Sequence, residues 1–139
     1  MATIRAVLDT NVLVSAIRSK LGASLELLSE VGAGAFDIVV SVPLVFEYED
    51  ALLRNRGRLS EANVRQIVDY LCAIAVPQPI FFLWRPMLRD PKDDMVAEVA
   101  FASSCDYLVT HNRKDFSGVE TLGVRVVSPA QFLERIGKS

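Results

Sequence analysis

Short apolar runs alternate along the chain with stretches of helical periodicity. Ala6 to Leu8 is a continuous apolar run that stops at Asp9-Thr10-Asn11. Continuous rather than alternating apolar residues suit a parallel strand covered on both faces. A helix is expected to begin at Val12–Ile17 and to continue through Leu21, Leu25, Leu28 and Val31, ending at Gly32 and Gly34. Phe36 to Val40 reads as a second buried strand. Ser41 is placed to cap a helix from about Leu44 to Arg54, with Leu44, Val45, Tyr48, Ala51 and Leu52 on one arc and Glu47 and Glu49 at its edges. Ser60 caps a further helix carrying Val64, Ile67, Val68 and Leu71, which Pro77 and Pro79 close.

Ile80 to Trp84 reads as edge structure, because its flanking prolines argue against a central strand. The polar turn Arg89 to Asp94 leads into a helix from Met95 to Ser104. Asp106 to Thr110 repeats the opening theme, a short apolar strand ending in polar residues, here His111 to Asp115. Val124 to Val127 is the last strand, and Ser128 with Pro129 opens a closing helix through Phe132 and Ile136. Strands alternating with helices predict a parallel α/β sheet with right-handed crossovers, arranged as a three-layer α/β/α sandwich. One domain over residues 1–139 accounts for the whole length.

Composition changes this picture little. The chain is 51% hydrophobic and 23% charged, an ordinary globular balance without a low-complexity segment. A net charge of −2 offers no global attraction to a polyanion, so binding of nucleic acid must rest on a local basic patch. Cys72 and Cys105 have no metal-ligand spacing and read as reduced core thiols. No charged segment followed by an apolar one opens the chain, and no apolar run reaches the roughly 18 residues of a membrane span. A soluble cytoplasmic protein, with no membrane partner, is expected.

Candidate chemistry follows from the carboxylates. Open α/β sheets bind ligands beyond the carboxyl ends of their strands. Three places put an acid at that edge: Asp9, Glu47 or Glu49, and Asp93 or Asp94. A fourth, Asn112 with Asp115, follows the strand ending at Thr110. The plainer reading of Asp9 is a cap for the next helix. Carboxylates brought together repel unless a cation neutralises them, and oxygen-only ligands select a hard ion such as Mg²⁺ or Mn²⁺. Such an ion activates water and clamps a phosphate, so phosphodiester hydrolysis is the leading chemistry. Nucleotide-cofactor folds lack their glycine fingerprints here, and no Gly-x-Ser-x-Gly elbow exists to serve His111, which reads as a surface loop residue. A metal-dependent phosphatase is a third reading. The Asp-x-Asp of the haloacid-dehalogenase type is broken by Asn11, however.

Leu8-Asp9-Thr10-Asn11-Val12, Glu47 in a helix after a Ser-x-Pro turn, Arg89-Asp90-Pro91-x-Asp93-Asp94, and Tyr107-Leu108-Val109-Thr110-x-Asn112-x-x-Asp115-Phe116 together resemble PIN-domain ribonucleases. The likeness is greatest to the VapC-like toxins of toxin-antitoxin systems. It implies a Rossmann-like fold, Mg²⁺- or Mn²⁺-dependent RNA cleavage, homodimers and inhibition by a cognate antitoxin. By the same resemblance the first acid falls on Asp9 with Asn11 beside it, and the second on Glu47. The third falls on Asp94 by VapC-like spacing, or on Asp93 by the Asp-Pro-x-Asp form. The fourth falls on Asn112, an amide that adds no charge, with Asp115 as a compensating acid or a cap of the local turn. That departure keeps open a module that binds RNA or a protein without cutting. Thr110 is expected near the substrate, as are Arg54, Arg56 and Arg113, since phosphates call for cations. Arg58, Lys114, Arg85 and Arg89 have similar standing.

Overall fold

The computed structural model describes residues 3–19, 22–80 and 91–137. Five parallel strands form one sheet in the order β3-β2-β1-β4-β5: β1 (Ile4–Leu8), β2 (Phe36–Val40), β3 (Val76–Pro77), β4 (Tyr107–Val109) and β5 (Arg125–Val127). Six α-helices accompany them among the described residues: α1 (Thr10–Arg18), α2 (Ala23–Glu30), α3 (Val42–Arg54), α4 (Glu61–Ile74), α5 (Pro91–Ser103) and α6 (Pro129–Arg135). The chain steps outward from β1 to β3 and then returns to the other side of β1 for β4 and β5. The long crossover between β3 and β4 carries α5, which packs on β1, β2 and β4 and meets α3. The expected three-layer sandwich is the fold.

The carboxyl-terminal halves of β1 and β2, and all of β4, are apolar because both of their faces are covered. Ala6, Val7, Leu8, Val39, Leu108 and Val109 are buried to within 1% of completely. Phe132 of α6 closes one side, meeting Phe36 and Tyr107 edge-on at centroid distances of 4.8 and 5.4 Å. Helix starts follow the expected chemistry. Ser41 and Ser60 accept hydrogen bonds from the Leu44 and Asn63 backbone N–H groups, and Ser128 with Gln131 forms a full capping box.

Three expectations need correction. The first helix is two helices, because the chain breaks at Gly22, whose φ of +130° is open to glycine and strained for other residues. Helical spacing of leucines on both sides of the break masks it. The helix after the polar turn starts at Pro91 rather than Met95, which puts Asp93 and Asp94 inside its first turn. An edge strand forms at Val76–Pro77, and the expected edge segment from Ile80 to Trp84 lies, beyond Ile80, outside the described residues. Cys72 is exposed, unlike the buried Cys105, so only one of the two thiols belongs to the core. Two 3-10 turns, Arg113–Phe116 and Val119–Leu122, link β4 to β5 and give no periodic signal.

Candidate metal centre at the end of the first strand

The pairing register sets the floor of the site. Leu8 lies beside Val109, and the Asp9 N–H donates to the Val109 carbonyl at 2.8 Å. Asp9 and Thr110 are thereby held side by side at the carboxyl ends of β1 and β4. This is where the strand order reverses, the point at which open α/β sheets bind ligands. Asp9 occupies the N-cap position of α1, yet its side chain makes no capping hydrogen bond. Its carboxylate instead accepts a 2.7 Å hydrogen bond from the Thr110 hydroxyl. The plainer capping reading of Asp9 therefore fails.

Thr110 is fully buried and Asp9 is 6% exposed. The Thr110 hydroxyl oxygen accepts from the Asn112 backbone N–H at 3.0 Å and from Asn11 Nδ2 at 3.5 Å. Asn11 Oδ1 in turn accepts from the His111 N–H at 3.3 Å. His111, exposed as expected, shares a 2.6 Å hydrogen bond with Ser24 of α2 through Nε2. One network thus ties α1, α2 and the loop after β4 around the Asp9 carboxylate.

Tyr48 fixes the second wall. Its buried hydroxyl donates to the Leu8 carbonyl, which clamps α3 to the end of β1. Burial, and after it the charge of Asp9, push the Tyr48 phenol far above its ordinary range, against the smaller opposing effect of the Leu8 carbonyl. The phenol therefore stays neutral and keeps its donor. Glu47, the preceding residue on α3, has a carboxylate that is only 10% exposed and faces two cations. Lys92 Nζ of α5 lies at 3.6 Å and Arg54 Nη2 at 3.8 Å. Lys92 brings the start of α5 to Glu47, and with it the first-turn residues Asp93 and Asp94.

The three acidic motifs therefore sit on elements that meet one another: β1 with α5, and α3 with α5. Among the described residues, however, no three His, Cys, Asp or Glu side chains already stand close enough to hold a metal ion. The donor set nevertheless suits a hard divalent cation, because it offers only oxygen and its least exposed carboxylates are already met by cations or a hydroxyl. Lys92 and Arg54 are each about half exposed on long stems, so they satisfy a demand for positive charge at Glu47 without being locked there.

Other expected residues lie further out. Asn112 is exposed at the start of the first 3-10 turn and caps nothing with its side chain. Asp115 is exposed within that turn; only its backbone N–H, bonded to the Asn112 carbonyl at 3.0 Å, closes it. Arg113 and Lys114 are exposed beside it, whereas Arg85 and Arg89 lie outside the described residues. Arg54, Arg56 and Arg58 line a cleft on the α3–α4 turn. Sequence reasoning missed Lys92 as the partner of Glu47 and the clamp formed by Tyr48. Lys92 gave no signal inside a charged turn, and Tyr48 sat on the apolar arc of its helix like any core residue.

A five-stranded parallel sheet with an acidic, hydroxyl-lined crevice at its switch point defines a Rossmann-like α/β/α domain. Comparison with known proteins narrows that class. A family model described as the PIN domain matches residues 5–114, and the chain belongs to that family. The fold is similar to that of VapBC2 from Rickettsia felis bound to a DNA fragment from their promoter, with a TM-score of 0.62 and 15% identity over 90% of this chain and 98% of that one. It is also similar to PAE2754 from Pyrobaculum aerophilum, with a TM-score of 0.56 and 16% identity over 98% of this chain and 90% of that one. No curated protein matches the sequence.

Proposed function

We propose that the protein is a divalent-metal-dependent endoribonuclease and the toxin of a toxin-antitoxin pair. The observation that carries this reading is the Asp9 carboxylate, turned away from helix capping and held by Thr110 at the switch point of a PIN-domain sheet. Asp9, Glu47 and one of Asp94 and Asp93 would hold Mg²⁺ or Mn²⁺. When bound, that ion supplies an activated water and neutralises charge on the phosphate. The chain's own residues do the rest. Thr110 fixes the orientation of Asp9, and Tyr48 fixes α3 and therefore Glu47 against the strand end. Lys92 and Arg54 pair with the Glu47 carboxylate.

Among the described residues no helix is long and apolar enough to cross a membrane. Val42 and Phe46, one turn apart on α3 and about 70% exposed, offer apolar surface for the expected homodimer or for the antitoxin. A second reading, an RNA- or protein-binding module that does not cut, is favoured by Asn112 in place of a fourth acid.

One assay separates the two. Single-stranded RNA incubated with Mn²⁺ or Mg²⁺ is expected to be cut by the native protein, and to stay intact with EDTA or with Asp9→Asn. RNA bound but uncut at every metal concentration would establish the second reading.

A further inference from the structure

Beside the carboxylates, the end of α1 and the turn between α3 and α4 enclose a cleft of about 690 Å³, within the size range of ligand sites. Among the described residues four arginines line it, Arg18 from α1 and Arg54, Arg56 and Arg58 from the turn, and no acidic residue does. Arg54 reaches Asp50 at 3.1 Å and Glu47 at 3.8 Å. The other three face the cleft with no carboxylate paired to them among the described residues. Arg18 and Arg58 are exposed, and Arg56 is half buried with Nη1 donating to the Leu59 carbonyl at 2.9 Å. Cations gathered round one concavity without counter-charges repel one another, and the arrangement becomes favourable once an anion enters.

We propose that this cleft binds the sugar-phosphate backbone of single-stranded RNA on one side of the scissile bond, with Arg18, Arg56 and Arg58 as phosphate contacts. The proposal rests on the ribonuclease reading of the adjoining carboxylates. The link between the two is Arg54, which lines the cleft and also reaches Glu47, so a strand lying in the cleft runs directly to the acidic site. Guanidinium groups suit this task because they bind phosphate bidentately while remaining charged at any working pH. An acidic protein segment would satisfy the charges equally, but nothing would bring it to Glu47, which repels carboxylates and meets a phosphodiester only through a cation.

The test is binding rather than cleavage. Asp9→Asn protein, in EDTA, is titrated into fluorescently labelled single-stranded RNA, and anisotropy is followed from 50 to 200 mM salt. Each phosphate contact on a single strand contributes about 0.7 to the slope of log affinity against log salt. Adding Arg18→Ala and Arg58→Ala should lower the slope by about 1.4, so that the parent loses roughly 7-fold more affinity across that range than the variant. Arg18→Lys with Arg58→Lys should keep most of the slope, since released counterions count charge. A double alanine variant with an unchanged slope and a native melting curve overturns the proposal and leaves the ribonuclease reading standing. A lowered slope from a protein that never cuts RNA in Mn²⁺ retires the ribonuclease reading and leaves the cleft as an RNA site. Displacement of the RNA by a decaglutamate peptide at lower concentration than by unlabelled RNA overturns the proposal in favour of an acidic protein partner.

Discussion

Replacing Thr110 by valine keeps the shape of a fully buried side chain and removes one oxygen. That oxygen donates to Asp9 at 2.7 Å and accepts the Asn112 N–H at 3.0 Å. A hydrogen bond to a charged acceptor is worth about 1.5–3 kcal/mol, and an N–H left without its acceptor costs roughly 1 kcal/mol more. The new methyl group returns about 1 kcal/mol through apolar burial. The 3.5 Å contact with Asn11 lies at the limit of hydrogen bonding and adds little. The net expectation is a loss of about 2 kcal/mol, which for a chain of this length lowers the melting temperature by roughly 6–10 °C. Thermal unfolding followed by circular dichroism in EDTA reads this directly, with Thr110→Ser as the control that keeps the hydroxyl. If the hydroxyl is incidental, valine should be neutral or stabilising. A melting temperature equal to or above that of the native protein would therefore refute the reasoning that Thr110 holds the carboxylate.

Tyr48→Phe removes the clamp between α3 and the Leu8 carbonyl; a loss of about 1–2 kcal/mol in urea unfolding is expected, and an unchanged midpoint would mean the contact carries no weight. Divalent ions should raise the melting temperature of the native protein, with about 2.7 kcal/mol gained at 100 times the dissociation constant, and Asp9→Asn should abolish most of that gain. Equal gains in both proteins would place the ion elsewhere. Burial pushes the Cys105 thiol up to about 11, so the folded protein holds a proton there that the unfolded chain releases from about pH 9. Stability should consequently be full below pH 9 and fall on the order of 2 kcal/mol by pH 11, with the Tyr48 phenol acting in the same direction at higher pH. Cys105→Ala should flatten the part between pH 9 and 11 in a pH series of urea unfolding, and an identical slope in that variant would discard the assignment.

How much was legible in the sequence depended on whether a residue's role is local. Strands β1, β2 and β4 announced themselves because burial on both faces demands apolar runs such as Ala6 to Leu8, Ile38 to Val40 and Tyr107 to Val109, and Ser41, Ser60 and Ser128 act within three residues of themselves. The break at Gly22 was hidden by leucines that keep helical spacing across it. At the site, Asp9 was visible as a polar stop after a strand, but its separation from capping depends on Thr110, 101 residues away. The pairing of Glu47 with Lys92 likewise needs α5 to cross back over the sheet, which no window of sequence contains. The resemblance to PIN-domain proteins chose Glu47 over Glu49, a choice that helical periodicity left open. In the structure the Glu47 side chain is 10% exposed and pairs with Lys92 of α5.

The most direct measurement is a crystal structure of the native protein soaked in Mn²⁺, with data collected for anomalous scattering. The expected result is one peak bonded to Asp9 and Glu47, at about 2.1 Å directly or through a water, with Asp94 or Asp93 completing the set and Lys92 moved off Glu47. Density for Mn²⁺ that is absent at 10 millimolar or bound away from Asp9, with the Lys92–Glu47 pair intact, would contradict a metal centre at the end of the first strand.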